Sequence, residues 1–320
     1  MDSKHNRFAI VGVGGYIAPR HLRAIRSVGG ELIASCDVSD SVGIIDSYFP
    51  EADFTTDPDA FFGALRRSVP DYLTVCTPNY LHCRHSVGGL DAGANVICEK
   101  PIVLTCAEHR LLSERQRLSG RKVSPILQMR LHPEAARIKE RLQASPDDRI
   151  HDIDLTYITP RGRWYAASWK GRADESGGVL TNIGVHFVDL LHWLFGRMRS
   201  IVLHRSTPDS IAGLFVLERA QVRFLLSVNP SHVPRNHAGA YRSLVIDGEP
   251  FDFSAGFADL HDLSYAEILA GRGFTLDDTL AAVETVETVR TLPVSPLVGS
   301  YHPLLTELPE VFRSQKFVAL

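Results

Sequence analysis

At 320 residues the chain is long for one domain, and an apolar fraction of 44% is ample for packed cores, so two domains sharing an interface are expected. A formal charge of −3 from nearly balanced acids and bases argues against a nucleic-acid partner. Five cysteines (Cys36, Cys76, Cys83, Cys98, Cys106) without a CxxC pair argue against a disulfide framework, and no apolar run suits a signal peptide or a membrane span, so a cytoplasmic protein without a membrane partner is expected.

Residues 7–129 alternate short apolar runs with helical segments. RFAIVGV, ELIASCD, DYLTVCTP, NVICEKP and KVSPILQM read as strands; PRHLRAIRSV, DPDAFFGALRRS, YLHCRHSVGGLDAG and CAEHRLLSERQRLSG read as the helices between them. That alternation predicts an α/β domain over residues 1–130 with a doubly wound parallel sheet. The first turn, GVGGYIAPRH, places Gly12 and Gly14 where a dinucleotide fold bends tightly and approaches a pyrophosphate. Gly15, Tyr16 and Ile17 complete the turn, with Ala18 standing for the third glycine. Asp37 ends the second strand about 20 residues on, where a carboxylate accepts ribose hydroxyls. Val38 and Ser39 follow it, with no cation for a 2′-phosphate, which favours NAD over NADP.

Two further strand ends lie on the ligand side of such a sheet. One is the turn Thr77-Pro78-Asn79 with His82 on the following helix; the other is Glu99-Lys100-Pro101, where a lysine at the carboxyl edge should point into the crevice. Gln128 closes the last strand of the domain.

From residue 131 the pattern changes to alternating strands, with turns at Glu218-Arg219 and Asp247-Gly248, predicting a substrate and oligomerisation domain over 131–320 with a mostly antiparallel sheet. Its helix GGVLTNIGVHFVDLLHW (177–193) sets Ile183, Phe187, Leu190, Leu191 and Leu194 on an apolar face beside a polar stripe of Asn182, His186 and Asp189. A metal at His186, Asp189 and His192 is disfavoured, because those positions drift around the helix; no metal site is expected. The segment PRGRWYAASWKGR carries Arg161, Arg163, Trp164, Tyr165, Trp169 and Lys170, cations and aromatic faces suited to an anionic, ring-bearing ligand; Arg130 and His132 join them from the domain junction. The proline-punctuated tail at 295–312 is expected to wrap back over the first domain.

GVGGYIAPRH, CTPNYLH, CEKP and GGVLTNIGVHFVD, in that order, together with the late FTLDDTLAAVETVETVR, resemble the Gfo/Idh/MocA family of nicotinamide-dependent sugar oxidoreductases. The likeness covers nearly the whole chain and implies a Rossmann domain followed by an α/β domain whose sheet makes an oligomer interface, commonly a homotetramer. It implies Lys100 and His186 as the catalytic pair, with Asn182 where the family usually has Asp. An amide cannot stabilise an imidazolium as a carboxylate would, so Asn182 is assigned to positioning substrate or nicotinamide. LTYITPRGRWYAASWKG and TNIGVHF resemble more narrowly the UDP-N-acetylglucosaminuronate 3-dehydrogenases, which implies a UDP-sugar acid as substrate. In some relatives 2-oxoglutarate recycles the bound cofactor, and no motif decides that point here. A free sugar or cyclitol as substrate, and a catalytically silent nucleotide sensor, remain as alternatives.

Overall fold

The computed structural model describes residues 5–144, 149–251 and 259–308. The first part runs β1 (Arg7–Val11), α1 (Ala18–Ser27), β2 (Glu31–Cys36), β3 (Asp53–Thr55), α2 (Pro58–Arg67), β4 (Tyr72–Val75), α3 (His82–Asp91), β5 (Asn95–Cys98), α4 (Cys106–Ser119) and β6 (Val123–Pro125). All six strands are parallel, in the order β3-β2-β1-β4-β5-β6. The sheet is covered on both faces, which is why its strands read as unbroken apolar runs. The short β3 carries no apolar run and gives no such signal; two of its three residues are exposed.

The second part comprises α5 (Pro133–Ala144), β7 (His151–Ile158), α6 (Trp164–Ala167), α7 (Ala173–Ser176), α8 (Val185–Phe195), β8 (Met198–Thr207), β9 (Ser210–Leu217), β10 (Ala220–Ser227), β11 (Tyr241–Ile246) and β12 (Glu249–Pro250). Its sheet has the order β12-β11-β7-β10-β9-β8, antiparallel except where β7 and β10 pair parallel. Helix α8 packs on it, burying Phe187, Leu190, Leu191 and Leu194 among Phe215, Phe224 and Leu226. The helical run Ala173–Phe195 is long and apolar enough to cross a bilayer, but most of it is buried in this core.

Then follow α9 (Leu260–Leu269) and α10 (Leu280–Val289). Helix α9 crosses back to pack on α1, and Tyr265 and Ile268 join Phe8, Ile10 and Leu22 in one apolar cluster. Leu276 and Val283 enter the cluster on the other face of the first sheet, with Val11, Leu73 and Val96. The first domain is therefore completed by residues beyond 259, and no single cut near residue 130 separates the two cores. The tail, expected over the first domain, instead follows the second sheet: Ser295 donates its N–H to the Leu203 carbonyl, and Leu305 packs with Ile158, Ala212 and Leu225. The apolar open face of that sheet is the stronger attraction; residues 309–312 of the expected tail lie outside the described residues.

The five cysteines are free thiols, four of them buried.

Candidate active site

The glycine turn between β1 and α1 is built for close backbone approach. Gly12 has φ +87°, and a Cβ there would sit 2.6 Å from the Thr77 nitrogen. Asp37 lies across the turn: its Oδ2 accepts the Gly14 N–H at 2.9 Å and its Oδ1 accepts the Ser39 N–H at 2.9 Å. A Cβ on Gly14 would come within 3.2 Å of that carboxylate. These are the tight turn and the ribose-binding acid that a dinucleotide requires, at the carboxyl edge of a parallel sheet. Tyr16, 87% exposed, flanks the turn. Across the sheet Gln128 keeps a buried Oε1 without a hydrogen-bond partner, an acceptor free for a carboxamide. These residues fit a nicotinamide dinucleotide.

Lys100 follows β5 and is joined to Pro101 by a cis peptide bond. Its Nζ donates to the main-chain carbonyl of Asn182, 3.3 Å away in the second part of the chain. Lys100 and His186 line one small cavity with Leu127, Val185 and Asp189. Residues 177–193 are not one regular α-helix as their spacing predicts: Leu180–Gly184 forms a wider π-type turn before α8 begins. Such turns recur at functional sites. Within it the Asn182 amide donates to the Tyr165 hydroxyl at 2.7 Å.

Burial holds both prospective catalytic groups toward their neutral forms. It lowers the Lys100 ammonium below its ordinary range, opposed in part by Glu99, and together with the Lys100 charge it lowers His186 well below 6.5. The buried Nδ1 of His186 has no partner.

The 160–172 segment divides. Tyr165 is buried in the core, its hydroxyl engaged by Asn182. Lys170 lies 5.0 Å from the Trp169 ring centre and 5.5 Å from that of Trp164, which is 55% exposed. Burial lowers Lys170, and so do the charges of Arg161 and Lys100, which places three cations near one another. Arg163 is exposed just before α6.

Several sequence assignments are redirected by what the side chains touch. Arg130 is buried, its guanidinium forked onto Asp189 at 2.7 and 3.0 Å and bonded to Asp278 at 3.1 Å, so it ties α8 to the segment before α10 rather than facing substrate. His132 accepts the Glu134 N–H at the start of α5, its ring against Phe251. His82 is buried with its two ring nitrogens 2.6 Å from the Pro101 carbonyl and 2.7 Å from that of Thr77, bracing two loops of the cleft from behind. The Asn79 amide donates to the Ser176 carbonyl at 2.9 Å, joining the Thr77-Pro78-Asn79 turn to the second domain. Glu99 turns away from the cleft, onto His21 and His261. Asp189 belongs to Arg130, so the polar stripe on α8 serves two ends.

Tyr157 and Arg242 escaped the sequence reading. The Tyr157 ring stands edge-on to His186 at 5.8 Å, and the Arg242 guanidinium lies 5.4 Å from the Tyr157 ring centre, its charge among those that lower His186. The pairing of Arg242 with Tyr157 across β11 and β7 is the signal that would have found them, and it needs the register.

A dinucleotide turn with its acid, facing a lysine and a neutral histidine across a cleft, defines an NAD-binding oxidoreductase. Residues 6–126 match the family described as "Oxidoreductase family, NAD-binding Rossmann fold" and residues 148–222 its "C-terminal alpha/beta domain". The chain belongs to the Gfo/Idh/MocA family. Among solved structures it is similar to the WlbA (WbpB) dehydrogenase of Thermus thermophilus in complex with NAD and UDP-GlcNAcA, with 45% identity, TM-score 0.89, and coverage of 93% of this chain and 99% of that one. The same enzyme in complex with NAD and alpha-ketoglutarate aligns with 46% identity and TM-score 0.89 over 93% of this chain and 99% of that one. D-glucoside 3-dehydrogenase of Escherichia coli is 27% identical over 64% of this chain, a stretch spanning only 58% of that enzyme's length.

Proposed function

We propose that the protein oxidises the C3 hydroxyl of UDP-2-acetamido-2-deoxyglucuronate with NAD, giving the 3-keto sugar for bacterial surface-polysaccharide synthesis. The observation that carries this reading is the group of cations and aromatic rings, Arg161, Lys170, Trp164 and Trp169, beside Lys100 and His186. Arginine and lysine match a diphosphate and a carboxylate, and the indole faces suit uracil or the sugar. The 45% identity to a dehydrogenase bound to UDP-GlcNAcA supports the same substrate class.

The Gly12–Gly14 turn, Asp37 and Gln128 would hold NAD, which would supply the hydride acceptor for C3. His186, held neutral, takes the hydroxyl proton; a protonated Lys100 steadies the developing alkoxide from the other side of the cleft. Asn182, Arg163 and Lys170 position the substrate, with Arg242 as an added cation behind His186. The likeness to the alpha-ketoglutarate complex supports recycling of bound NADH by 2-oxoglutarate, the keto acid being reduced to its hydroxy acid as NADH returns to NAD. The assembly is a cytoplasmic homotetramer formed through the second sheet and the tail that packs on it.

Absorbance at 340 nm with NAD and candidate sugars tests the reading. NADH from the UDP-sugar acid, or hydroxy acid formed when 2-oxoglutarate is added, is the expected result. Turnover of a free sugar but not of the nucleotide-linked acid overturns the substrate; tight NAD binding without any turnover favours a sensor.

A further inference from the structure

Behind Lys100 lies a buried chain of polar groups that the catalytic proposal does not use. Glu99, 5% exposed, accepts hydrogen bonds on Oε1 from His21 Nε2 at 3.0 Å and from His261 Nε2 at 2.9 Å, while its Oε2 accepts the Lys100 main-chain N–H at 3.1 Å. His21 Nδ1 lies 2.9 Å from the Tyr265 hydroxyl, which lies 2.8 Å from Thr74 Oγ1. Both histidines and Tyr265 are at most 1% exposed. A buried carboxylate without donors costs several kcal/mol, so three converging donors are what allow Glu99 to remain ionised.

The direction of every bond follows from that charge. Each Nε2 must carry a proton to donate to Glu99. A neutral His21 then presents a bare Nδ1, which accepts from Tyr265, which accepts in turn from Thr74. His21, Glu99 and His261 bring three potential ligand atoms within 4.8 Å of one another, the spacing of a metal site. With both Nε2 atoms at hydrogen-bond distance from one shared oxygen, protons account for the spacing.

We propose that His21 and His261 are positioning residues of the dehydrogenation: they fix Glu99 as an anion at the root of Lys100, holding that lysine's main chain and its electrostatic setting. This rests on the assignment of Lys100 to the chemistry. His21 comes from α1 and His261 from α9, so the C-terminal return of the chain to the first domain contributes directly to the setting of the active-site lysine. The charges facing Lys100 are Glu99, which favours its ammonium form, and Lys170, which opposes it; His82 and His186 also face it, both shifted toward the neutral form.

Nitrogen-15 NMR of labelled histidines in the unaltered, NAD-bound protein reads the bond directions directly. A proton on Nε2 is expected for both His21 and His261; a ring bare on Nε2 in either overturns the proposal, and no variant is involved. Carbon-13 NMR titration of the Lys100 side chain, assigned through Lys100→Arg, then reads the electrostatic link without any turnover. In Glu99→Gln the Lys100 titration moves down by about one pH unit, and in His261→Leu it moves the same way by less. His261→Gln, which keeps a donor near the Nε2 position, restores it. An unmoved titration in Glu99→Gln, or equal shifts in His261→Leu and His261→Gln, overturns the proposal. A shifted titration in an enzyme that does not oxidise the UDP-sugar refutes the substrate reading and leaves this one standing.

Discussion

Lys100 and Asn182 meet across the domain cleft: the lysine Nζ donates to the Asn182 main-chain carbonyl at 3.3 Å, while the Asn182 side chain is turned to the Tyr165 hydroxyl at 2.7 Å. The asparagine thus reaches the lysine through its backbone and the substrate-side loop through its amide. Its identity matters at the second contact, and its placement in the wide turn before α8 matters at the first.

Removing either member of the proposed catalytic pair, Lys100 or His186, should separate chemistry from cofactor binding. Lys100→Ala and His186→Ala are each expected to lower kcat by roughly 10²–10⁴-fold. NAD affinity, measured by titration calorimetry, should change little, because Gly12, Gly14 and Asp37 form the turn and its acid elsewhere on the sheet. A variant that keeps wild-type turnover loses its catalytic assignment.

Asn182→Asp is nearly isosteric and introduces a carboxylate on the residue whose carbonyl Lys100 contacts, one turn before His186. An anion raises the proton affinity of both, so the inflections of the kcat–pH profile should move up by about one unit. The Tyr165 hydroxyl can reverse its role and donate to the new carboxylate, so KM should move less than the profile. A pH–rate series on the two proteins decides it; coincident profiles would leave the amide a packing residue.

Arg130→Ala should be a stability variant. It strands Asp189, 2% exposed, without its guanidinium partner, and breaking a buried pair of this kind costs about 3–5 kcal/mol. Thermal melting should show a large drop in Tm, while KM for the sugar nucleotide changes less than twofold in the protein that remains folded. A selective rise in KM at unchanged Tm would return Arg130 to the substrate.

Buried histidines make the fold sensitive to acid. Burial lowers His85 and His302 to about 4, against 6.5 for an ordinary ring. Below 6.5 the unfolded chain therefore binds protons that the folded chain refuses, and stability falls as pH drops from 6.5 toward 4. Each ring contributes on the order of 2 kcal/mol to that loss by pH 5. Urea melts at pH 7 and pH 5 should show the midpoint falling, and His302→Gln should flatten the slope. His302 accepts or donates at Thr156 Oγ1 over 2.9 Å, a contact the amide can keep.

The parallel sheet and the dinucleotide turn were legible in the chain because Phe8, Ile10, Leu73, Val96 and their neighbours are buried on both faces and Gly12 stands where φ must be positive. That Lys100 and His186 would face one cleft was legible through motifs, since each lies beside a local signature, and both line one cavity. What residue order does not show is which partner a polar side chain takes. Arg130 and Glu99 sit next to functional residues in sequence, yet Asp189, Asp278, His21 and His261, distant along the chain, claim them. Tyr157 and Arg242 reached His186 by strand register, which depends on long-range pairing and not on either strand alone.

The return of α9 to the first sheet also bears on how the protein is made. Tyr265 and Ile268 close the cluster around Phe8 and Ile10, and Val283 closes the one around Leu73. As the ribosome extends the chain, the amino-terminal strands emerge early but wait for most of the polypeptide before their cores are sealed. Domains generally fold as units during synthesis, but a unit ending near residue 130 would lack Tyr265, Ile268 and Val283 from its two clusters. Helices α9 and α10, more than 130 residues beyond β6 in the chain, are part of the cover of the first sheet.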